Sequence, residues 1–243
     1  MQHPLTRTGA ALVLATASLA LTAIARAAPA ACHASSGATV PTIVELYTSE
    51  GCSSCPAADK WLASLKDTPG VVRLAFHVDY WDRLGWKDRF ADPAYTKRQY
   101  EVSPKSGARF VYTPQVLVDG AEYRDWPALA RRDARPATVT ITLTQEGGTY
   151  LARLVRGPGA PQRLAAYWAV TEDGHVSDVK AGENDGVTLH HDAVVREYLP
   201  LPSVGAAPLR FEPKPAENPA AARRVLLVVT DADSGKPLQA AGC

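Results

Sequence analysis

The sequence predicts an α/β domain, a parallel or mixed sheet with flanking helices, over residues 38–135. An antiparallel, sandwich-like β-rich domain follows over 137–243. Three observations carry this expectation. Thr42–Thr48 and Val71–Val78 are short apolar and β-branched runs with a helical pattern between them, a strand–helix–strand unit within about 35 residues. Beyond Arg135-Pro136 the texture changes to short alternating segments divided by Gly and Pro turns, with no helical stretch of useful length. A chain of 243 residues, 46% of them hydrophobic, can fill one large core or two small ones.

The first thirty residues stand apart. Arg7 closes a short polar start, Ala10 to Ile24 is an apolar run, and small-residue sites follow at Ala25-Arg26-Ala27 and Ala28-Pro29-Ala30. This is the layout of a secretory signal peptide, too short for a comfortable membrane span. The expected mature protein is bacterial, periplasmic or secreted, without a membrane span after cleavage. There disulfides persist. Lipid anchoring at Cys32 is disfavoured, because Pro29 stands where such sites carry Leu. Lys plus Arg (26) balance Asp plus Glu (25), so no basic field is available for nucleic acid or anionic lipid.

Within the first domain, Pro56 suits a first helical turn, and Ala57 to Lys66 carries Trp61, Leu62 and Leu65 at helical spacing. Residues 67–70 (DTPG) break that helix. An inserted aromatic loop, 79–112, holds a helix around Ala94 to Val102. Gln115 to Val118 is a strand turned by Asp119-Gly120 into Glu122-Tyr123. Asp125 to Ala134 reads as a helix with Asp125 as N-cap. The second domain offers strands at Val139–Leu143, Tyr150–Val155, Arg163–Thr171, Val187–Leu189, Val194–Tyr198, Leu209–Glu212 and Arg224–Thr230. The Pro/Ala-rich stretch 213–222 reads as a surface loop.

The chemistry concentrates in "GCSSCP", residues 51–56. A Cys-x-x-Cys at the join of a strand and a helix, followed by a parallel strand, is a thioredoxin-like arrangement. Free N–H groups and the macrodipole at the helix start favour a thiolate. Cys52 is then the nucleophile and Cys55 the resolving thiol. Thr113-Pro114, directly before a strand, is where that arrangement carries a cis-proline that positions substrate. Four cysteines allow three connectivities. A local Cys52–Cys55 pair leaves Cys32 and Cys243 as a candidate structural disulfide across the mature chain, contributing about 5 kcal/mol on the loop-entropy model.

No metal site and no organic cofactor are expected. Structural zinc needs four ligands, yet there is no second cysteine pair, His190 and His191 are adjacent, and His77 and His175 stand alone. The end of the second strand and the residues after it offer His77, Asp79, Trp81 and Trp86 as the rim of a substrate groove, because parallel sheets collect ligands at that edge. "AGENDGVTLHHDAVVREYLPL" (181–201) reads first as a turn bonding its own backbone. The alternative is a polar site of Glu183, Asn184, Asp185 and His190.

"VELYTSEGCSSCPAADKWL", "FHVDYWDRLGW", "YTPQVLVDG" and "AGENDGVTLHHDAVVR" together resemble the secreted family labelled domain of unknown function 1223, over roughly Pro41 to Thr230. The resemblance implies a thioredoxin-like fold with Cys52, Cys55 and Pro114 as its redox constellation. The expected function is an exported thiol–disulfide oxidoreductase. Its partners would be protein or small-molecule disulfides, protein thiols and an unidentified redox partner. Two alternatives stand beside it. One is a non-catalytic binding protein in which Cys52–Cys55 is a staple. The other is a periplasmic copper metallochaperone.

Overall fold

In the computed structural model, which describes residues 32–129 and 133–243, the chain opens with β1 (His33–Ser35) and β2 (Thr39–Val40). Next come β3 (Thr42–Thr48), α1 (Cys55–Ser64), β4 (Val71–His77), α2 (Pro93–Ser106), β5 (Gln115–Val118), β6 (Ala121–Glu122) and β7 (Arg135–Pro136). The remainder is all strand. It comprises β8 (Val139–Glu146), β9 (Thr149–Arg156), β10 (Leu164–Asp173), β11 (His175–Asp178), β12 (Thr188–His191), β13 (Val194–Val204), β14 (Leu209–Phe211), β15 (Ala222–Asp231) and β16 (Pro237–Gly242). The signal peptide expected over 1–30 lies outside the described residues. No helix among them is long and apolar enough to cross a membrane.

Strands 3 and 4 form because their β-branched and apolar runs are buried on both faces, as parallel strands require. They pair in parallel from Thr42↔Val71 to Thr48↔His77. β5 and β6 add antiparallel on the far side of β3. On the other edge, β13 joins β4 in parallel at Val194↔Ala75, and β10, β15 and β16 continue antiparallel beyond it. The result is one eight-stranded mixed sheet, ordered β16-β15-β10-β13-β4-β3-β5-β6.

Alternation sorts the side chains. Ile43, Tyr47, Leu74, Phe76, Tyr167, Ala169, Leu226 and Val228 share one face and pack with Tyr95 of α2. On the opposite face, Val44, Leu46, Ala75 and Val116 pack against Ala58 and Leu62 of α1. Further along that face, Trp168, Val170 and Leu227 meet Ile141, Leu143 and Ala152 of the four-stranded sheet β1-β8-β9-β14.

The predicted fold class is therefore corrected. The described residues are 44% strand and 14% helix, with only two α-helices, and the chain does not build a helix-flanked thioredoxin-like α/β domain. Nor is the β-rich part closed on itself: β10, β13, β15 and β16 extend the sheet of β3 and β4, while β8, β9 and β14 form the four-stranded sheet with β1. The reason is an open edge. β3 occupies only one side of β4, and on the other side the Ala75 N–H donates to Ala193 O at 2.8 Å. The helix expected over 125–134 is also absent as far as it is described. Asp125 makes no side-chain cap bond, and only a 3-10 turn forms, Trp126–Ala128.

Candidate functional site

The dithiol sits where β3 ends. Cys52 and Cys55 are disulfide-bonded, with Cα atoms 5.4 Å apart, and Cys55 is the first residue of α1 with Ser54 before it. The Cys52 Sγ lies 3.4 Å from Ser54 Oγ. Both cysteines are buried, Cys52 at 1% exposure and Cys55 at 0%. The second pair, Cys32–Cys243, is also bonded, with Cα atoms 6.0 Å apart across 211 residues of sequence.

Several predicted rim residues do gather here. Trp81 donates from Nε1 to Thr113 Oγ1 at 2.8 Å, and the Thr113-Pro114 peptide bond is cis. A Cβ on Gly51 would come within 3.0 Å of the Trp81 Cβ, so the residue before Cys52 is glycine for the sake of that approach. Trp86 Nε1 donates to Glu50 Oε2 at 2.7 Å. Asp79 goes elsewhere. Its carboxylate accepts from Thr96 Oγ1 at 2.5 Å and fastens the loop to α2.

The segment after Ala181 turns out to be part of the site. Asn184 is buried and donates from Nδ2 to Glu50 O at 2.8 Å and to Cys52 O at 3.0 Å. Glu183 Oε2 accepts from Ser53 N at 3.0 Å and from Ser53 Oγ at 2.8 Å, and those bonds hold its carboxyl below the ordinary range. The turn bonding only its own backbone is thus corrected. It covers the dithiol through Glu183 and Asn184, while Asp185 and His190 stay exposed.

Beside the dithiol loop lies a buried polar cluster. Thr48, Glu50, Asp59, His77, Asp88 and His191 are all buried. His77 projects from β4 on the α1 face, and its Nδ1 is 2.7 Å from Asp88 Oδ2. Asp88 also accepts from the backbone N–H of Glu50 and of Phe90, each at 2.9 Å. Thr48 Oγ1 donates to Asp59 Oδ2 at 2.8 Å. Asp59 is four residues beyond Cys55 in α1, hence on the same buried side of the helix. The His191 Nε2 lies 3.3 Å from Glu50 Oε1, but off the line a hydrogen bond requires.

Burial pushes the Asp59 carboxyl up, against the pull of His191 and His77. It works to lower His77, yet the Asp88, Asp59 and Glu50 carboxylates hold that imidazole above its ordinary value. Asp88 and Glu50 stay below the usual carboxylate range despite burial. For Asp88 the cause is His77 and the two N–H donors, and for Glu50 it is His191, Ser177 and Trp86.

Of these, only His77 was singled out as a site residue from the sequence; Thr48, Glu50, Asp59, Asp88 and His191 were not. A signal for His191 existed. Leu189 and His191 alternate with exposed Thr188 and His190 in β12, so His191 had to face inward.

A family model described as protein of unknown function (DUF1223) matches residues 43–230, most of the chain and all of this site except the Cys32–Cys243 bridge. The chain belongs to that family. Among solved structures, the DUF1223 chain is similar to protein AGR_C_4864 from Agrobacterium tumefaciens. That pair has 28% identity and a TM-score of 0.60, over 84% of this chain and 94% of that one. It is also similar to HBP35 of Porphyromonas gingivalis, with a TM-score of 0.57 over 86% of this chain and 76% of that one. At 13% identity the second likeness is one of fold alone. No curated protein matches the chain.

Proposed function

We propose that this DUF1223 protein is a thiol–disulfide exchange catalyst working outside the cytoplasm. One observation carries the reading: a bonded Cys52–Cys55 pair at the start of α1, under a loop held by hydrogen bonds. The helix start favours a thiolate there. Two disulfides suit an oxidising compartment.

In the bonded form, a substrate thiolate attacks the Cys52 sulfur, a mixed disulfide forms, and Cys55 leaves as a thiolate. A second substrate thiol then displaces Cys52. The substrate is oxidised by two electrons and the pair is reduced, to be reoxidised by a redox partner. The reverse sequence reduces a substrate disulfide. Thr113 and Pro114, next to Trp81, are the proposed positioning residues for the substrate chain, and no organic cofactor is required.

A second reading has its own support. Both cysteines are almost wholly buried, which suits a permanent staple in a binding protein. Equilibration in glutathione buffers with alkylation of free thiols separates the two. A midpoint between about −120 and −270 mV supports exchange, and a pair that stays oxidised below about −300 mV establishes the staple.

A further inference from the structure

The geometry points to a transition-metal site, independent of the thiols, formed by Asp59, His77 and His191 and taking a divalent ion of the zinc class. One donor atom from each of the three lies within 4.8 Å of the other two, and all three side chains are buried. Small movements would bring them to the 2.0–2.2 Å that nitrogen and carboxylate ligands need.

The hydrogen bonding supplies the second argument. Asp88 is an acceptor on every side, so the neutral His77 ring presents its N–H at Nδ1 and carries its lone pair at Nε2. That Nε2 is buried with no partner. A carboxylate behind one imidazole nitrogen and a free lone pair on the other is the arrangement by which metal-binding histidines are oriented. His191 repeats it in looser form, with Nε2 toward Glu50 and Nδ1 unpartnered. The two rings stand 5.0 Å apart at 76°, edge to face. Buried polar atoms without partners are uncommon and call for an ion or a water. Here two imidazoles and a carboxylate converge on the same space.

The donor set selects the metal class. Calcium and magnesium take oxygen ligands, whereas two imidazoles with one carboxylate suit zinc and its neighbours. Three protein ligands leave a fourth position open. An entry path exists as well. A groove of about 550 Å³ between α1 and the β11–β12 hairpin is lined by Pro56, Asp59, Val187, Leu189 and His191, among others, so two of the three ligands border it. The cysteines take no part, being bonded to each other.

The test uses the full chain with both disulfides intact, stripped with a chelator and titrated with Zn(II) in a calorimeter. One ion per chain is expected. X-ray absorption of the zinc-loaded protein should show two imidazoles and oxygen, without sulfur. His191→Gln and His77→Gln should each weaken binding more than about 100-fold. Asp88→Asn, which leaves all three ligands in place, should weaken it about 10- to 100-fold. Exposed His190→Gln should leave it unchanged. Absence of saturable binding, sulfur in the absorption spectrum, or affinity within about threefold of wild type in a folded His191→Gln variant would each overturn the site.

Discussion

The two faces of β3 and β4 carry two buried polar clusters that resemble each other in composition and differ in bookkeeping. On the α2 face, Arg98 donates from Nη2 to Glu45 Oε1 at 2.6 Å and from Nη1 to Tyr198 at 3.0 Å. Tyr167 and Tyr47 donate to the same carboxylate at 2.7 and 3.1 Å. Its one unbonded nitrogen, Nε, belongs to a guanidinium lying over the Tyr167 ring at 4.3 Å. On the α1 face, beside the dithiol, four atoms of Glu50, His77 and His191 lack a hydrogen bond, although His191 Nε2 and Glu50 Oε1 stand 3.3 Å apart. A closed network specifies packing, while an open one of equal burial retains free lone pairs. The difference separates a saturated polar cluster from one with bonding capacity left over on the other face of the same sheet.

The largest expected effect breaks the closed network. Arg98→Met leaves the Glu45 carboxylate buried without its cation and should cost about 3–5 kcal/mol in urea unfolding. Adding Glu45→Gln removes the uncompensated charge while keeping an acceptor for the tyrosines, and should recover at least half of that loss. If the double variant is as unstable as the single one, the pair is not what organises that face.

On the α1 face the same operation should matter far less. His191→Gln gives up the 3.3 Å approach to Glu50 but keeps a polar amide in its place. In chelator-treated protein its unfolding free energy should stay within about 1 kcal/mol of wild type. A loss comparable to Arg98→Met would make His191 a structural residue and erase the contrast between the two faces.

This contrast was only partly legible in the sequence. β3, β4, α1 and β5 announce themselves within a residue or two, because fully buried strands and an amphipathic helix leave local patterns. The α2 pattern was readable at its centre, but the helix extends through Pro104 to Ser106. What was not readable is non-local. The β4–β13 pairing joins residues over a hundred apart and brings strands from both regions of the sequence into one sheet. Trp126 packs on Trp61 with ring centroids 5.5 Å apart, which overrides the helical reading of its segment. Glu183 and Ser53 meet across 130 residues. Asp59 looked like any polar position of a helix, until α1 turned it toward His77 and His191.

The smallest expected effect is kinetic and concerns the cover over the dithiol. The Glu183 carboxyl is held below its ordinary value of 4.5 by the two bonds from Ser53. A depressed carboxylate stabilises the closed arrangement above that range and loses its contribution as pH falls through the folded value. Protonation should therefore loosen the cover. A phosphine reductant, active in mild acid, reads this directly as the rate of Cys52–Cys55 reduction. In wild type the rate should climb as pH drops below 4.5. Glu183→Gln mimics the protonated state, so its rate should already be high near neutrality and change little on acidification. Fold stability should hardly move in either case, because the bonds are at the exposed surface. Matching pH profiles in the two proteins would mean that Glu183 does not gate the pair, leaving Asn184, bonded to the Glu50 and Cys52 carbonyls, as the group that holds the loop down.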